Sequence, residues 1–277
     1  GTGTPARKSS VRMKDNKIWE IGDLQPFPNE TITNANGLTL APGFIDAHSH
    51  HFGGLENHPA GEALVSQGIT TIVIGQDGGS IPIDAIQSRM NKRPVAVNVA
   101  TYTGHSTLRS KAMGAKSLYR TAKPEEIEKM KAELKTEMSK GSLGLATGLE
   151  YESAFFSNRD EVLQLAKVAA EAGGRYISHI RSEDVGLEEA LDEIIDIGKQ
   201  TKMPVQVSHI KIAKRDNWGK APELLARLQQ AVAVVVGRRQ ELRSFKLLLQ
   251  VVATVLRRLV FPAVLDAREQ HLLERLV

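Results

Sequence analysis

The chain has 277 residues, of which 41% are hydrophobic and 25% charged, and this balance excludes collagen-like, coiled-coil and disordered classes. It contains no cysteine, so disulfides and thiolate-bound metals are excluded, and any transition-metal site must consist of His, Asp and Glu. The net charge of +4 comes entirely from residues 231–277, which hold 8 Lys and Arg against 4 Asp and Glu. We therefore expect no nucleic-acid partner. Because no apolar run reaches the length of a membrane span, we also expect a soluble, cytoplasmic protein with no membrane partner.

The first residues are predicted to form short strands joined by turns. Residues 11–14 and 17–21 both alternate apolar and polar side chains. The turn dipeptide Asp15-Asn16 separates them, which is typical of a β-hairpin.

Buried strands and amphipathic helices alternate from residue 41 to about residue 230. Strands are predicted at Leu40–Ile45, Ile69–Ile74, Val95–Thr101, Leu143–Ala146, Arg175–Ile177 and Pro204–Val207. Helices are predicted from Pro124 to about Lys140, from the cap Asn158 to Gly173, and from Leu187 to before Pro204.

Each predicted strand is followed by an ionisable residue. These residues are His48, Asp77, His105, Glu150, His179 and His209. They are separated by 29, 28, 45, 29 and 30 positions, and about thirty residues is the length of one βα unit. Six such units in series predict a (β/α) barrel, in which the chemistry lies at the carboxyl ends of the strands.

The histidines at three of these strand ends suggest a metal site. Residues i and i+2 of a strand face the same way, so His48 and His50 are expected to point together, about 7 Å apart along the chain. An isolated pair of this kind could equally cap the sheet. His179 and His209 occupy matching strand ends, and four such imidazoles are hard to explain by packing, since each would need a buried partner.

The segment Gly37–Gln230 resembles the N-acyl-D-amino-acid deacylases (D-aminoacylases) of the amidohydrolase superfamily. The motifs that carry the resemblance are PGFIDAHSHH (residues 42–51), TGHSTLR (103–109), TGLEYESA (147–154), YISHIRSE (176–183) and VQVSHIKI (205–212). The resemblance implies a metal-dependent TIM-type (β/α) barrel in residues 41–230, incomplete, with part of a small β-sandwich in residues 1–40. It also implies hydrolysis of N-acyl-D-amino acids, small-molecule substrates, to a carboxylate and a free D-amino acid.

The same resemblance implies a set of metal ligands. They are His48, His50, His179 and His209, holding one or two zinc ions. The family has Gly-Asn-Cys-Gly where this chain has Gly75-Gln76-Asp77-Gly78. Asp77 can replace the thiolate as an oxygen ligand, which would shift the metal preference toward Mn²⁺ or Co²⁺; alternatively it only caps a Gly-rich turn. Glu150 is a second candidate for a bridging carboxylate; alternatively, it pairs with a neighbouring arginine. His105 either contacts and orients the metal ligands or has a structural role.

Two further residues are implied to bind substrate. Lys211 follows His209 by two positions and would hold the substrate α-carboxylate, with help from Tyr151. The alternative for Lys211 is a salt bridge to Glu150 or Glu183.

The resemblance stops after about Gln230. Residues 231–277 contain 7 Arg, 1 Lys and no Ile, whereas the preceding residues contain 11 Arg, 17 Lys and 18 Ile. This change predicts a tail in a non-native reading frame, which would leave an inactive fragment without the proton-carrying Asp of the superfamily. Alternatively, Val232–Val236 and Val260–Leu265 form the seventh and eighth strands and Asp266 is that proton carrier. A cyclic-amide or dipeptide amidohydrolase is a further alternative.

Overall fold

The computed structural model describes residues 5–235 of the chain, which divides into two compact units, Gly1–Gly43 and Phe44–Val277. In the first unit, β1 (Ser10–Lys14) and β2 (Lys17–Gly22) form an antiparallel pair. Asp15 and Asn16 between them have φ values of 51° and 59°, the left-handed conformation that tight hairpins require. The predicted hairpin is confirmed, and the assignment of residues 1–40 to a β-sandwich stays a prediction.

The second unit alternates parallel strands with helices. Its strands are β3 (Phe44–Asp46), β4 (Ile69–Ile74), β5 (Asn98–Thr101), β6 (Thr103–Gly104), β7 (Gly144–Gly148), β8 (Arg175–His179) and β9 (Val205–Val207). Its helices are α1 (Phe52–Asn57), α2 (Glu62–Val65), α3 (Ile83–Lys92), α4 (His105–Met113), α5 (Pro124–Ser139), α6 (Glu152–Phe155), α7 (Arg159–Glu171), α8 (Leu187–Thr201) and α9 (Ala221–Val235). Among residues 5–235, none of the helices has the length and apolar character needed to cross a bilayer.

The strands follow one another in the order of a (β/α) barrel. The two parallel sheets have the orders β3-β4-β5 and β6-β7-β8-β9, and only Tyr102 separates β5 from β6. Hydrogen bonding continues across this break, since Tyr102 N donates to Ile74 O (3.0 Å) and Leu143 N donates to Thr101 O (2.9 Å). Six consecutive βα units therefore lie side by side, which confirms the predicted TIM-type arrangement.

The three helices that the sequence predicts are confirmed as α5, α7 and α8. Pro124 opens α5, and the carboxylate of Glu126 accepts from the backbone N of Lys123 (2.7 Å). Asn158 caps α7 by accepting from the backbone N of Glu161 (2.8 Å). These caps satisfy backbone donors that a helix start leaves unpaired.

Strands β7 and β8 and the second half of β4 are buried on both faces. Val73, Tyr102, Ala146 and Ile177 form a cluster of their own, while their sequence neighbours belong to the layers between the strands and the helices. Apolar side chains on both faces are typical of parallel sheets covered by helices.

Two local predictions are wrong. β3 ends at Asp46, so His48 and His50 lie in the irregular segment that follows the strand rather than in the strand itself. Helix α9 continues to Val235, so the strand predicted at Val232–Val236 is wrong as far as Val235. The remaining tail, including the candidate proton carrier Asp266, lies outside the described residues.

Candidate metal centre

The ends of three barrel strands bring four imidazole rings together. His48 Nε2 lies 3.1 Å from His50 Nε2, and His179 Nδ1 lies 3.0 Å from His209 Nε2. The two pairs are neighbours, because the ring centroids of His48 and His209 are 5.8 Å apart. The four predicted ligands therefore share one site, and their role as ligands stays a prediction.

Asp77 connects the two histidine pairs. Its Oδ2 lies 3.5 Å from His48 Nε2 and 3.2 Å from His50 Nε2. It also forms a group with His179 and His209 in which the potential ligand atoms lie within 4.8 Å of one another. Burial favours the neutral carboxyl, but the hydrogen bond and charge of His48 outweigh it and lower the pKa of Asp77. The carboxylate is therefore ionised at neutral pH and can bind a cation.

The backbone around Asp77 explains how this side chain reaches the histidines. Asp77 itself has φ 56°, a left-handed conformation that is uncommon for a residue with a Cβ but is adopted by Asp and Asn in tight turns. A Cβ at Gly75 would lie 2.3 Å from Tyr102 O, and one at Gly148 would lie 2.3 Å from Asp77 O. The turn is thus held tightly against the neighbouring strand ends.

The residues of this site fit a divalent cation. Two ligands bound tetrahedrally at about 2.0–2.1 Å from one ion lie roughly 3.4 Å apart, and the separations within the His48, His50 and Asp77 group are 3.1 to 3.5 Å. Buried Asp77 Oδ1 and His48 Nδ1 have no hydrogen-bond partner among residues 5–235. Unpaired buried polar atoms are costly, and a buried carboxylate is stabilised by a cation.

A second set of carboxylates surrounds the other histidine pair. Glu150 Oε2 accepts from His179 Nε2 (2.9 Å), so within the described part of the chain Glu150 contacts a histidine and not the arginine that one alternative proposed. Glu183 Oε1 accepts from His209 Nδ1 (2.7 Å). The sequence predicts Glu183 only as a salt-bridge partner of Lys211. The contact of Glu183 with His209 is a feature of the site that the sequence did not reveal.

The two candidate substrate-binding residues lie beside this pair. Lys211 Nζ donates to Glu183 Oε2 (2.5 Å), which is one of the salt bridges considered as its alternative role. Tyr151 Oη lies 3.1 Å from His179 Nδ1. Burial, followed by the charges of Asp77 and Glu183, raises the pKa of Tyr151, so its hydroxyl stays protonated and can donate.

His105 does not join the metal centre. Its Nε2 lies 2.8 Å from Glu161 Oε1, and both side chains are almost completely buried. Burial lowers the pKa of His105, which favours the neutral ring. Arg109 also binds Glu161, so this cluster is an internal support of helices α4 and α7.

Residues 31–265 of the chain match the amidohydrolase family. The chain belongs to this family. The matched span continues past residue 230, and the origin of residues 231–277 stays a prediction.

Several deacylases are similar to this amidohydrolase. The D-aminoacylase of Alcaligenes xylosoxydans xylosoxydans is 32% identical over 257 residues, which cover 84% of this chain and 53% of that protein. A zinc-bound N-acyl-D-glutamate deacylase from Bordetella bronchiseptica, crystallised with a phosphonate inhibitor, superposes with a TM-score of 0.77 at 32% identity, covering 83% and 53% of the two chains. A D-aminoacylase structure with a binuclear metal centre gives a TM-score of 0.72 at 29% identity, covering 84% and 54%. The chain spans about half the length of these relatives.

Proposed function

We propose that this amidohydrolase takes part in zinc-dependent hydrolysis of N-acyl-D-amino acids to a carboxylate and a free D-amino acid. The observation that carries the proposal is the position of Asp77, whose carboxylate connects the pair His48 and His50 with the pair His179 and His209. The deacylase relatives support the substrate class.

The five residues would hold one or two ions, which when bound polarise a carbonyl and lower the pKa of a water molecule. Zinc is the first choice because imidazole and carboxylate are ordinary zinc ligands, and Asp77 also makes Mn²⁺ or Co²⁺ acceptable. His179 and His209 are oriented by carboxylates, and Tyr151 Oη reaches the edge of His179.

Lys211 and Tyr151 would bind the substrate. The Lys211 side chain is 57% exposed, so its ammonium group can pair with a substrate carboxylate while it contacts Glu183. The Tyr151 hydroxyl is a neutral donor beside the metal centre. A free carboxylate distinguishes an N-acyl amino acid from a cyclic amide, so these residues favour the deacylase activity over the cyclic-amide alternative.

The proton carrier is the remaining component. Asp266 would take the proton from the attacking water and deliver it to the leaving amine. If residues 231–277 are foreign, this group is missing and the chain is an inactive fragment. Asp266→Asn separates the alternatives, because it abolishes hydrolysis only if Asp266 carries the proton.

The test is hydrolysis of N-acetyl-D- and N-acetyl-L-amino acids by the 277-residue chain, with its zinc content measured on the same sample. We expect release of free amine from D substrates only, loss of activity and zinc in His48→Asn, and no change in the exposed control His58→Asn. Zinc-loaded protein that leaves all N-acyl-D-amino acids intact, or that prefers cyclic amides, contradicts the proposal.

A further inference from the structure

We propose that Gln76 is a positioning residue, which holds the segment of His48 and His50 against the turn that contains Asp77. The inference rests on the proposed function for the presence of a metal ion, but the contacts that carry it lie within the protein itself. Gln76 acts through the backbone beside a candidate ligand and contacts neither metal nor substrate.

The segment that carries His48 and His50 depends on contacts with β4. Strand β3 has three residues and ends at Asp46, and in the described part of the chain it pairs only with β4. The regular strand pairing therefore stops before the first histidine. Beyond it, Ser49 N donates to Val73 O (2.9 Å). A segment with few backbone hydrogen bonds opens easily, whereas metal ligands have to be held within about 0.5 Å of their productive positions.

The side-chain amide of Gln76 supplies a further connection to this segment. Its Nε2 lies 3.1 Å from Ala47 O and 3.4 Å from Val73 O, and the residue is 3% exposed. Both neighbouring atoms are carbonyl oxygens, which only accept hydrogen bonds, so the NH₂ group and not the amide oxygen faces them. Ala47 precedes His48 and Ser49 follows it, so hydrogen bonds hold the residues on both sides of this histidine.

Packing alone does not account for a glutamine at this position. The amide oxygen Oε1 of Gln76 is buried and has no hydrogen-bond partner among residues 5–235. An unpaired buried oxygen is unfavourable, and a methionine of nearly the same length would fill the space without one. The hydrogen bonds that the NH₂ group donates are therefore what distinguishes glutamine from an apolar side chain here.

Gln76 can hold the segment because its own turn is fixed. Farther along this turn, Thr107 N donates to Gly78 O (3.1 Å), and Ser80 N donates to Thr107 Oγ1 (2.9 Å). These bonds attach the turn to helix α4. Gln76 thus connects a segment with few backbone hydrogen bonds to a well-anchored turn, and the same turn presents Asp77 to both histidines of the segment.

The first test compares two glutamines of the wild-type chain without metal. Gln67 is exposed and donates through Nε2 to Ala63 O (2.5 Å), whereas Gln76 is buried. In ¹H–¹⁵N spectra of the 277-residue chain, the side-chain NH₂ protons of Gln76 should exchange with solvent at least about 10-fold more slowly than those of Gln67. Equal exchange rates overturn the proposal, and this result depends on no variant.

The second test removes the donor. Gln76→Met nearly preserves the length of the side chain, and Gln67→Met is the matched exposed control. In the metal-free chain, hydrogen exchange followed by mass spectrometry should show the backbone amides of residues 47–51 exchanging about 10-fold faster in Gln76→Met. Residues 205–210 should be unchanged, and the control should behave as the wild type. Unchanged exchange at residues 47–51, or the same acceleration throughout the chain, contradicts the inference.

Circular dichroism checks that the variants are folded. If Gln76→Met does not fold, Gln76→Asn replaces it in the exchange and zinc measurements. Its side chain keeps the amide but is one methylene shorter, so it ends short of Ala47 O, and the same loss of protection is expected.

The third test measures zinc affinity with a competing chromophoric chelator. Folded Gln76→Met should bind zinc about 10-fold more weakly than the wild type, and Gln67→Met should bind it equally well. A residue that only stabilises the fold would leave the zinc affinity of the folded protein unchanged, so wild-type affinity in Gln76→Met contradicts the inference. A wild-type chain that binds no zinc contradicts the proposed function instead, and the exchange measurements without metal then decide whether Gln76 holds the segment.

Discussion

The buried ion pair between Arg109 and Glu161 predicts a large loss of stability when its charge balance is broken. The two side chains are 0% and 1% exposed, and Arg109 Nη1 lies 2.6 Å from both carboxylate oxygens of Glu161. The remaining guanidinium donors bind backbone oxygens, including Ser153 O in α6 (3.1 Å). The pair therefore joins α4, α6 and α7 inside the protein.

Glu161→Gln keeps the side-chain volume and removes the negative charge. Arg109 then stays buried without a counter-charge, and removing one partner of a buried pair costs about 3–5 kcal/mol. The amide can also place its NH₂ group against the donor Arg109 Nη1 or His105 Nε2, which adds to the cost. For a protein of this size, the change corresponds to a melting temperature lowered by roughly 10 °C.

The assay is urea unfolding followed by circular dichroism, with a matched surface variant. Glu128→Gln removes a charge paired with Lys131, but Glu128 is 66% exposed. This control should change the free energy of unfolding by less than about 0.5 kcal/mol. If Glu161→Gln costs less than about 1 kcal/mol, the buried pair does not carry the stability assigned to it.

Three further predictions concern the metal centre, pH and the turn. Asp77→Ala should remove metal from both histidine pairs, whereas His50→Ala should remove metal only from the pair formed by His48 and His50. Metal analysis by mass spectrometry distinguishes these outcomes. Equal losses of metal in the two variants contradict the sharing of Asp77. Burial lowers the pKa of His105 from 6.5, so as the pH falls this ring is protonated in the unfolded chain before it is protonated in the folded protein. The free energy of unfolding should therefore fall as the pH drops below about 6.5. His105→Asn should flatten this fall in urea titrations at several pH values, and an unchanged slope refutes the assignment. Gly148→Ala places a Cβ 2.3 Å from Asp77 O. We expect it to lower the free energy of unfolding by about 1–3 kcal/mol and to weaken zinc binding. A Cβ at Gly79 meets no atom within 4 Å, so the control Gly79→Ala should change neither the stability nor the zinc affinity.

The candidate ligands could be predicted because a βα unit has a regular length. Strand ends recur about every thirty residues, and in a parallel barrel all carboxyl ends meet at one edge. This regularity alone predicts that His48, Asp77, His179 and His209 lie together. It also placed His105 at a strand end, but the spacing carries no information about the direction of its side chain, which turns toward Glu161.

The amino-acid sequence by itself determined the order of the βα units, the ionisable residues at their ends and the absence of thiolate ligands, because these follow from periodicity and composition. Which side-chain atoms of the site contact one another is evident only from the tertiary structure. Asp77 reaches the histidines through a left-handed turn packed against Tyr102 and Gly148. Glu150 and Glu183 contact opposite nitrogens of two rings because strand pairing and loop paths bring distant residues within hydrogen-bond distance.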